Sequence, residues 1–468
     1  MNEALLSGLR RVLGEQGLQT DPSLFAGALV DQRGLYRGRA LALALPSSTE
    51  QVSAVLRLCH QHGTGVVPQG GNTGYCGGAT PDESGTQLLL GLRNLRAIRH
   101  VDAANFSMTV EAGCLLAEVQ QAAADADRYF PLQLGSSGSC QIGGNVATNA
   151  GGLNVLRFGM CRDLVLGLEV VLADGTVCDA LNALRKNNTG YDLKSLFIGS
   201  EGTLGVITAA TLKLWPRQRS AATAFVALRD LEAAIELLAL LRETAGDALN
   251  SYELLPRSAL ELVAQHIPGT RAPLPADEDW YVLCELAASA IEPLDELLQQ
   301  ALLTASEAGL VRDAAMATGE RQRADFWKLR ESVPAAQRQY GPSIKHDVAV
   351  PISRLPAFVR EASALIDALA PGELLVCYGH VGDGSLHFNV SHATDAGDAE
   401  FLAREPAIRR AVHDLAIACG GSFSAEHGIG RYKAAELAHY KSAPELALMR
   451  AIKRQLDPLG ILNPGKLL

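Results

Sequence analysis

The chain has 468 residues, of which 48% are hydrophobic and 20% charged, a composition that excludes disordered and fibrous classes. Acidic residues outnumber basic ones by 51 to 41, and the net charge of −10 argues against a protein that binds nucleic acid. Nine scattered cysteines form no C-x-x-C pair, which predicts reduced thiols rather than a disulfide framework or a thiolate zinc site. No apolar run reaches 18 residues, so no membrane span is predicted. We expect a cytoplasmic location, with peripheral attachment to the inner membrane as an alternative.

The predicted elements change in character along the chain. An amphipathic helix opens it, and residues 40–216 alternate glycine-rich loops with short strands such as 168–177 and 203–216. From about 220 to 350, strands alternate with helices, which predicts an antiparallel or mixed sheet covered by helices on one face. A strand, a helix, two glycine-histidine loops and a closing helix follow. We predict an α+β fold with domains at 1–217 and 218–420 and a segment, 421–468, that returns to the first domain.

Three glycine-rich loops, at residues 68–81, 134–154 and 197–208, are the first functional signal. Each alone is a typical tight turn, but successive glycines also let backbone amides converge on a phosphate group. The P-loop, the Rossmann G-x-G-x-x-G motif and the G-x-S-x-G nucleophile elbow are all absent from the sequence. The loops therefore favour a long ligand that is held mainly by backbone groups outside those folds.

Histidines and a glutamate form a second signal. His380 and His387 flank Gly-Asp-Gly-Ser between two predicted strands, and a hairpin there would bring the two imidazoles together. Glu426 and His427 lie in another glycine-flanked turn. Two imidazoles and one carboxylate are a common ligand set for Zn²⁺, Mn²⁺ or Fe²⁺, although a hydrogen-bonded structural role is the more common interpretation of any one histidine taken singly.

The three loops resemble the FAD-binding domain of the vanillyl-alcohol oxidase and p-cresol methylhydroxylase superfamily. The resemblance implies a two-subdomain FAD-binding domain, and non-covalent FAD because the first loop has no histidine and Cys76 is a weak attachment site. The cofactor-binding positions that it implies are Gly70, Gly71, Asn72, Thr73, Gly74, Ser137, Gly144, Asn149, Gly152, Glu201 and Ile207.

The second half of the chain resembles the C-terminal domain of FAD-linked D-2-hydroxyacid dehydrogenases through GHVGDGSLHFN, SAEHGIG and DPLGILNPGK. The resemblance implies an α+β substrate or cap domain and a divalent metal, with Zn²⁺ expected and Mn²⁺ or Co²⁺ as alternatives. His380, His387 and Glu426 are the implied metal ligands, His427 the implied catalytic base, Asn389 a substrate contact and Asn463 a neighbour of the flavin.

Arg330 and Lys345 have the spacing found in members of this group that oxidise D-2-hydroxyglutarate. A dicarboxylate needs a second cation to replace the hydration of its distal carboxylate, although surface charges are the ordinary interpretation of such residues. The resemblance implies a threonine four residues after the arginine, and this chain has Pro334 there, so the length of the substrate is open. We expect D-2-hydroxyglutarate oxidation by hydride transfer to flavin N5, with D-lactate dehydrogenase or the catalytic subunit of glycolate oxidase as the alternative.

Two other classes stay open from the sequence. A zinc hydrolase would use the histidines and Glu426 without flavin, and a non-catalytic flavin subunit of a larger oxidase would not be expected to keep the full ligand set. The expected partners are a small 2-hydroxy acid and an electron acceptor, which is an electron-transfer flavoprotein, a quinone or a cytochrome. A homodimer is expected from the resemblance alone.

Overall fold

The computed structural model describes residues 2–394 and 397–468 and divides the chain into two compact units. The first comprises residues 1–152, 158–217 and 426–468, and the second residues 153–157 and 218–425. The predicted boundaries lie at 217 and 420, so the structure adds residues 421–425 and the short segment 153–157 to the second unit. In the described part of the chain, no helix is both long and apolar enough to cross a bilayer.

The elements up to residue 217 are, in chain order, α1 Asn2–Gly17, β1 Leu18–Gln19, β2 Ala42–Ala44, α2 Thr49–His62, β3 Val66–Gln69, β4 Leu88–Gly91, β5 Ile98–Asp102, β6 Ser107–Glu111, α3 Leu116–Asp125, β7 Arg128–Tyr129, α4 Ile142–Ala147, α5 Val155–Phe158, α6 Cys161–Leu164, β8 Val165–Val171, β9 Val177–Ala180, α7 Lys194–Phe197, β10 Val206–Lys213 and β11 Trp215–Pro216.

The next elements are β12 Ser220–Leu228, α8 Leu231–Ala245, β13 Leu249–Pro256, α9 Arg257–His266, β14 Trp280–Ala288, α10 Leu294–Glu307, β15 Val311–Met316, α11 Glu320–Glu331, α12 Val333–Tyr340, β16 Ser343–Ile344, β17 Asp347–Ala349, α13 Leu355–Leu369, β18 Leu374–Tyr378, β19 Ser385–Ser391, α14 Asp398–Ala403 and α15 Glu405–Ala418. The closing helices are α16 Ala434–Tyr440 and α17 Ala443–Leu456.

The first unit contains two principal sheets. One has the order β1-β2-β4-β3, in which β2, β4 and β3 run parallel, and α2 connects β2 to β3. The Ser48 hydroxyl caps the start of α2, and Gly63 ends it in the left-handed conformation, so the chain enters β3 directly. The other sheet has the order β5-β6-β10-β8-β9 and is antiparallel, and a tight turn within the segment 168–177, predicted as a strand, joins β8 to β9.

The second unit is built on an antiparallel sheet with the order β13-β14-β12-β15, which confirms the predicted sheet. Helices cover both faces, however, so the expectation of one covered face was wrong. Ala224 and Val226 of β12 pack in the core that includes α8 and α10, whereas Phe225 and Ala227 pack in the core that includes α9, α11 and α12. The reason is that β12 is apolar at successive positions, so both faces of the strand must be buried.

A smaller sheet of the second unit carries the glycine-histidine motif. Strands β18 and β19 form the predicted antiparallel hairpin, and β19 also pairs with β16 and β17. The segment 342–351 forms two short strands, β16 and β17, which are separated at Lys345 and His346. Helix α11 ends at Glu331, and Pro334 lies in the first turn of α12, where proline is tolerated.

Candidate functional site

The three glycine-rich loops of the first unit surround one cleft of about 890 Å³. The first loop follows β3, the second leads into α4, and the third precedes β10. Eight of the predicted cofactor positions line the cleft, namely Gly70, Gly71, Asn72, Thr73, Gly74, Gly144, Glu201 and Ile207.

Glycine is required where the first two loops meet. A Cβ atom at Gly71 would lie 2.1 Å from the carbonyl oxygen of Ser139, a distance that no side chain tolerates. At Gly144, by contrast, a Cβ would meet nothing within 4 Å, because this glycine faces open space in the cleft. One glycine therefore permits loop packing, and the other leaves room for a ligand close to the backbone.

Glu201 connects the third loop to the segment that returns at residue 426. Its carboxylate accepts hydrogen bonds of 2.7 Å from the amides of both Ile429 and Gly430. Burial raises the pKa of Glu201, and these backbone bonds and Lys433 only partly oppose it. Asn463 donates from its side-chain amide to the carbonyl oxygens of Gly78 and Glu201, so the chain terminus supports the same loops.

The polar groups of the cleft fit a flavin. The side-chain oxygen of Gln141 is buried, lines the cleft and has no hydrogen-bond partner among the residues that the structure describes, which marks it as an acceptor for a ligand N–H group. The side-chain oxygen of Asn463, which is not among the residues that line the cleft, is also buried and lacks a partner in the same described set. The sequence did not single out Gln141, although it directly precedes the Ile-Gly-Gly that opens α4.

Four predicted cofactor positions, Ser137, Asn149, Gly152 and Asn463, are not among the residues that line the cleft. The Ser137 hydroxyl donates to the Leu134 carbonyl oxygen, and the Asn149 side-chain oxygen accepts from the Arg162 amide at 2.8 Å. At Gly152, a Cβ would lie 2.1 Å from the Gln133 carbonyl oxygen. In the structure these residues shape the loops around the cleft.

His427, the predicted base, also lines this cleft. Its ring packs edge-on against Tyr75, with ring centroids 4.8 Å apart. The neighbouring Glu426 accepts a hydrogen bond of 3.3 Å from the Gly152 amide. Both residues belong to the first unit and are half-buried, so their side chains are partly accessible.

The predicted histidine pair belongs to the second unit. His380 follows β18 and His387 lies in β19, and the hairpin places their ring centroids 5.7 Å apart, as its predicted turn implies. Asp347 of β17 is the direct cross-strand neighbour of His387 and is buried. This end of the small sheet therefore brings together groups that can bind a divalent cation.

A buried carboxylate that the sequence did not single out lies beside this pair. Glu253 of β13 contacts Nδ1 of His380 at 2.7 Å through one oxygen and Nε of Arg330 at 2.7 Å through the other. Burial opposes ionisation of Glu253, but its interactions with His380 and Arg330 outweigh burial and hold its pKa at about 2. Glu253 therefore carries the negative charge that balances buried Arg330.

The predicted substrate residues have different environments in the second unit. Arg330 is buried, bonded to Glu253 and placed 4.9 Å from the centre of the Tyr378 ring. Lys345 is half-buried at the break between β16 and β17. The Asn389 side chain accepts from the His346 amide and donates to Gln337, so both ends of its amide support the small sheet.

Gln141, Glu253 and Asp347 were not predicted from the sequence. A lone carboxylate in an otherwise apolar strand, as at Glu253 in NSYELLP, was the available signal, because an unpaired buried charge is costly. Asp347 follows Lys345 by two residues in a segment already considered for substrate binding.

Family models match most of the chain. The model described as "FAD linked oxidases, C-terminal domain" matches residues 217–467, and the model described as "FAD binding domain" matches residues 40–180. The chain belongs to the FAD-linked oxidase family. Curated relatives 38–39% identical to the chain are named D-2-hydroxyglutarate dehydrogenase, which identifies it as a FAD-dependent 2-hydroxyacid dehydrogenase, so the zinc-hydrolase alternative and the non-catalytic alternative no longer apply.

Curated relatives of this FAD-linked oxidase align over nearly its whole length. The D-2-hydroxyglutarate dehydrogenase of Xanthomonas citri pv. viticola is 38% identical, with 100% of this chain and 97% of the relative covered. The mitochondrial D-2-hydroxyglutarate dehydrogenase of Arabidopsis thaliana is also 38% identical, with 99% of this chain and 81% of the relative covered. The D-2-hydroxyglutarate–pyruvate transhydrogenase of Saccharomyces cerevisiae is 37% identical, with 92% and 87% covered.

Solved structures confirm the predicted α+β fold. p-Cresol methylhydroxylase with bound substrate superposes with a TM-score of 0.79 at 17% identity, covering 99% of this chain and 96% of the other. An alkyldihydroxyacetonephosphate synthase superposes with a TM-score of 0.76 at 15% identity, covering 98% and 86%. At these identities the likeness concerns the fold alone.

Proposed function

We propose that the chain oxidises D-2-hydroxyglutarate to 2-oxoglutarate with bound FAD and a divalent metal ion. The observation that carries the proposal is the alignment with curated D-2-hydroxyglutarate dehydrogenases, 38% identical over 99–100% of this chain. The presence of two basic residues, Arg330 and Lys345, agrees with a substrate that has two carboxylates.

The cleft of the first unit is the proposed FAD site. Glycine amides of the first two loops would hold the pyrophosphate, and the buried Gln141 oxygen would accept a hydrogen bond from the cofactor. When bound, FAD supplies the hydride acceptor, which is flavin N5. His427 is the proposed base, because neutral imidazole can take the hydroxyl proton near neutral pH and this ring lines the same cleft.

His380 and His387 are the proposed metal ligands of the second unit, with Glu426 as a third ligand by resemblance to the family. The fit rests on donor chemistry, because Glu253 occupies Nδ1 of His380 and leaves Nε2 as the ligand atom. A bound divalent ion, Zn²⁺ or alternatively Mn²⁺ or Co²⁺, lowers the pKa of a coordinated hydroxyl group.

Arg330 and Lys345 are the proposed carboxylate-binding residues. The Arg330 guanidinium is fixed by its ion pair with Glu253, whereas Lys345 is half-buried and has a flexible side chain. Asn389 is a proposed substrate contact, and its bonds to His346 and Gln337 would fix the orientation of its amide.

The test is anaerobic reduction of the enzyme-bound flavin by substrate, which is measured as the loss of the flavin's visible absorbance. D-2-hydroxyglutarate, D-malate, D-lactate and glycolate are compared on the same preparation. We expect rapid bleaching by D-2-hydroxyglutarate and much slower bleaching by the two monocarboxylates. Faster bleaching by D-lactate or glycolate would instead select the alternative substrate class, and an enzyme without flavin would contradict the cofactor assignment.

A second experiment concerns the electron acceptor that reoxidises the flavin. An electron-transfer flavoprotein, a quinone and a cytochrome are candidates, and the transhydrogenase name of the yeast relative adds a 2-oxo acid. Incubating the enzyme with D-2-hydroxyglutarate and pyruvate, and measuring D-lactate, distinguishes the last candidate. Formation of D-lactate supports electron transfer from D-2-hydroxyglutarate to pyruvate by this enzyme. If no D-lactate forms, the electron-transfer flavoprotein, the quinone and the cytochrome remain the candidate acceptors.

Location and assembly are also proposals. We propose a cytoplasmic homodimer, with peripheral attachment to the inner membrane as the alternative location. Cell fractionation tests the location, and light scattering coupled to size-exclusion chromatography tests the assembly. Recovery in a washed membrane fraction, or a mass equal to that of one chain, would contradict the respective part.

A further inference from the structure

Glu253 is a buried carboxylate of the second unit that contacts both His380 and Arg330. Its side chain is 1% exposed, whereas Arg330 is 5% and His380 is 6% exposed. One carboxylate oxygen contacts Nδ1 of His380 at 2.7 Å, and the other contacts Nε and an Nη atom of Arg330, each at 2.7 Å. Both oxygens are therefore used, each by a different functional side chain.

The backbone holds this arrangement in place. Leu254, the residue after Glu253, exchanges two hydrogen bonds with Gly379, the residue before His380, at 2.9 and 3.1 Å. Gly379 has a φ of +144°, and a Cβ there would lie 3.1 Å from the Ser385 carbonyl oxygen. The distance between Glu253 and His380 is thus set by main-chain pairing and not by flexible side chains alone.

The chemistry of the contact selects one tautomer of His380. An ionised carboxylate can only accept hydrogen bonds, so the hydrogen between the two groups must be on Nδ1 of the imidazole. A neutral His380 then has its lone pair on Nε2, the atom that would bind a metal ion. A carboxylate behind a ligating histidine commonly fixes both its tautomer and its ring orientation.

We propose that Glu253 is a positioning residue that orients His380 for metal binding and Arg330 for carboxylate binding through its two oxygens. The inference rests on the proposed function, because it takes His380 as a metal ligand and Arg330 as a substrate residue. It follows that Glu253 affects both the affinity for the metal ion and the affinity for the substrate, although it contacts neither of them.

Glu253→Gln tests the proposal because an amide has only one acceptor atom. If its oxygen faces Arg330, its NH₂ group faces Nδ1 of His380 and requires the other tautomer, in which Nε2 carries the hydrogen. Zn²⁺ is titrated into chelator-treated, FAD-containing protein in competition with a coloured chelator. We expect Zn²⁺ affinity to fall about 10–100-fold and flavin absorbance to stay at the wild-type level. KM for D-2-hydroxyglutarate is also expected to rise.

Glu285→Gln is the matched control. Glu285 is a buried carboxylate of the same sheet, and it accepts from Arg323 and Trp327 at 2.8–3.0 Å. Its substitution removes an ion pair between a buried carboxylate and a half-buried arginine, and neither residue is a proposed ligand. We expect wild-type Zn²⁺ affinity in this variant. An equal loss of Zn²⁺ affinity in both variants would overturn the proposal, because it would reflect general loss of structure.

Glu253→Asp covers the case in which Glu253→Gln does not fold. Aspartate keeps the buried charge opposite Arg330, but its shorter side chain retracts the carboxylate from His380. We expect weaker Zn²⁺ binding with FAD retained. Wild-type affinity in this folded variant would overturn the positioning role and leave the proposed function intact. A wild-type protein that binds no Zn²⁺ would overturn the metal assignment and this inference together.

Discussion

His427 is the residue whose loss should affect turnover without affecting the cofactor. It lines the glycine-rich cleft, and its ring packs against Tyr75. We expect His427→Ala to lower kcat by about 10²–10⁴-fold, the usual contribution of a positioned base, while the flavin content stays unchanged. Steady-state kinetics and the flavin absorbance of the purified variant check this. Tyr75→Phe keeps the ring contact and serves as control, and wild-type turnover in His427→Ala would reject the assignment.

Lys345 is expected to increase the affinity of the enzyme for dicarboxylate substrates and to have little effect on monocarboxylates. It is half-buried at the break between β16 and β17, and its proposed partner is the distal carboxylate of the substrate. We expect Lys345→Ala to raise KM for D-2-hydroxyglutarate at least tenfold, because a charged hydrogen bond contributes about 1.5–3 kcal/mol, and to leave D-lactate kinetics nearly unchanged. Lys328→Ala, at an exposed lysine of α11, is the control. Equal losses for both substrates would argue against distal recognition.

At the scale of elements, the first two glycine-rich loops pack so closely that a side chain at Gly71 should destabilise their contact. A Cβ at Gly71 would lie 2.1 Å from the Ser139 carbonyl oxygen, so Gly71→Ala must push the loops apart. We expect a loss of about 1–3 kcal/mol in unfolding free energy and weaker FAD binding, measured by denaturant unfolding and by fluorescence of released FAD. Gly135→Ala, where a Cβ meets nothing within 4 Å, should behave as wild type. Normal FAD affinity in Gly71→Ala would contradict the close packing of the loops.

Glu169 connects several elements of the first unit. Its carboxylate accepts from Thr49 at the start of α2, from Arg99 in β5 and from Thr208 in β10. Burial raises the pKa of Glu169, but these hydrogen bonds and the charge of Arg99 outweigh it and bring the pKa below its ordinary 4.5. The stabilisation is therefore complete above pH 4.5 and is lost as the pH falls through the lower pKa of the folded protein.

We expect Glu169→Gln to lower the unfolding free energy by about 1–3 kcal/mol at neutral pH, because a buried charged acceptor is lost. The difference from wild type should shrink as the pH falls below 4.5, where the unfolded wild-type carboxyl binds a proton. Urea unfolding at decreasing pH measures it. Glu15→Gln, at an exposed ion pair of α1, is the control, and a difference that grows towards acid pH would reject this account.

At the scale of the whole molecule, metal and flavin should be removable independently. The proposed FAD cleft is built by the first unit, whereas two of the three proposed metal ligands, His380 and His387, belong to the second. We expect a chelator to abolish turnover while the flavin spectrum persists, and Zn²⁺ to restore turnover. Metal content by mass spectrometry and activity are followed on one sample. His380→Ala should reproduce the chelated state without rescue by Zn²⁺, and full turnover of metal-free enzyme would contradict metal dependence.

Features that depend on local pattern could be predicted from the amino-acid sequence. Glycine density indicated the three loops, alternating strands and helices predicted the antiparallel sheet, and the Gly-Asp-Gly-Ser turn predicted that His380 lies beside His387. Long-range packing was needed to show which faces of β12 are covered, that Lys345 lies at a strand break, and that Gln141 faces the cleft. It also decided the partners of Glu253, which lie 77 and 127 residues away at Arg330 and His380. The physical reason is that local spacing reports the periodicity of one element, whereas the partner of a buried charge is chosen by packing between distant strands and helices.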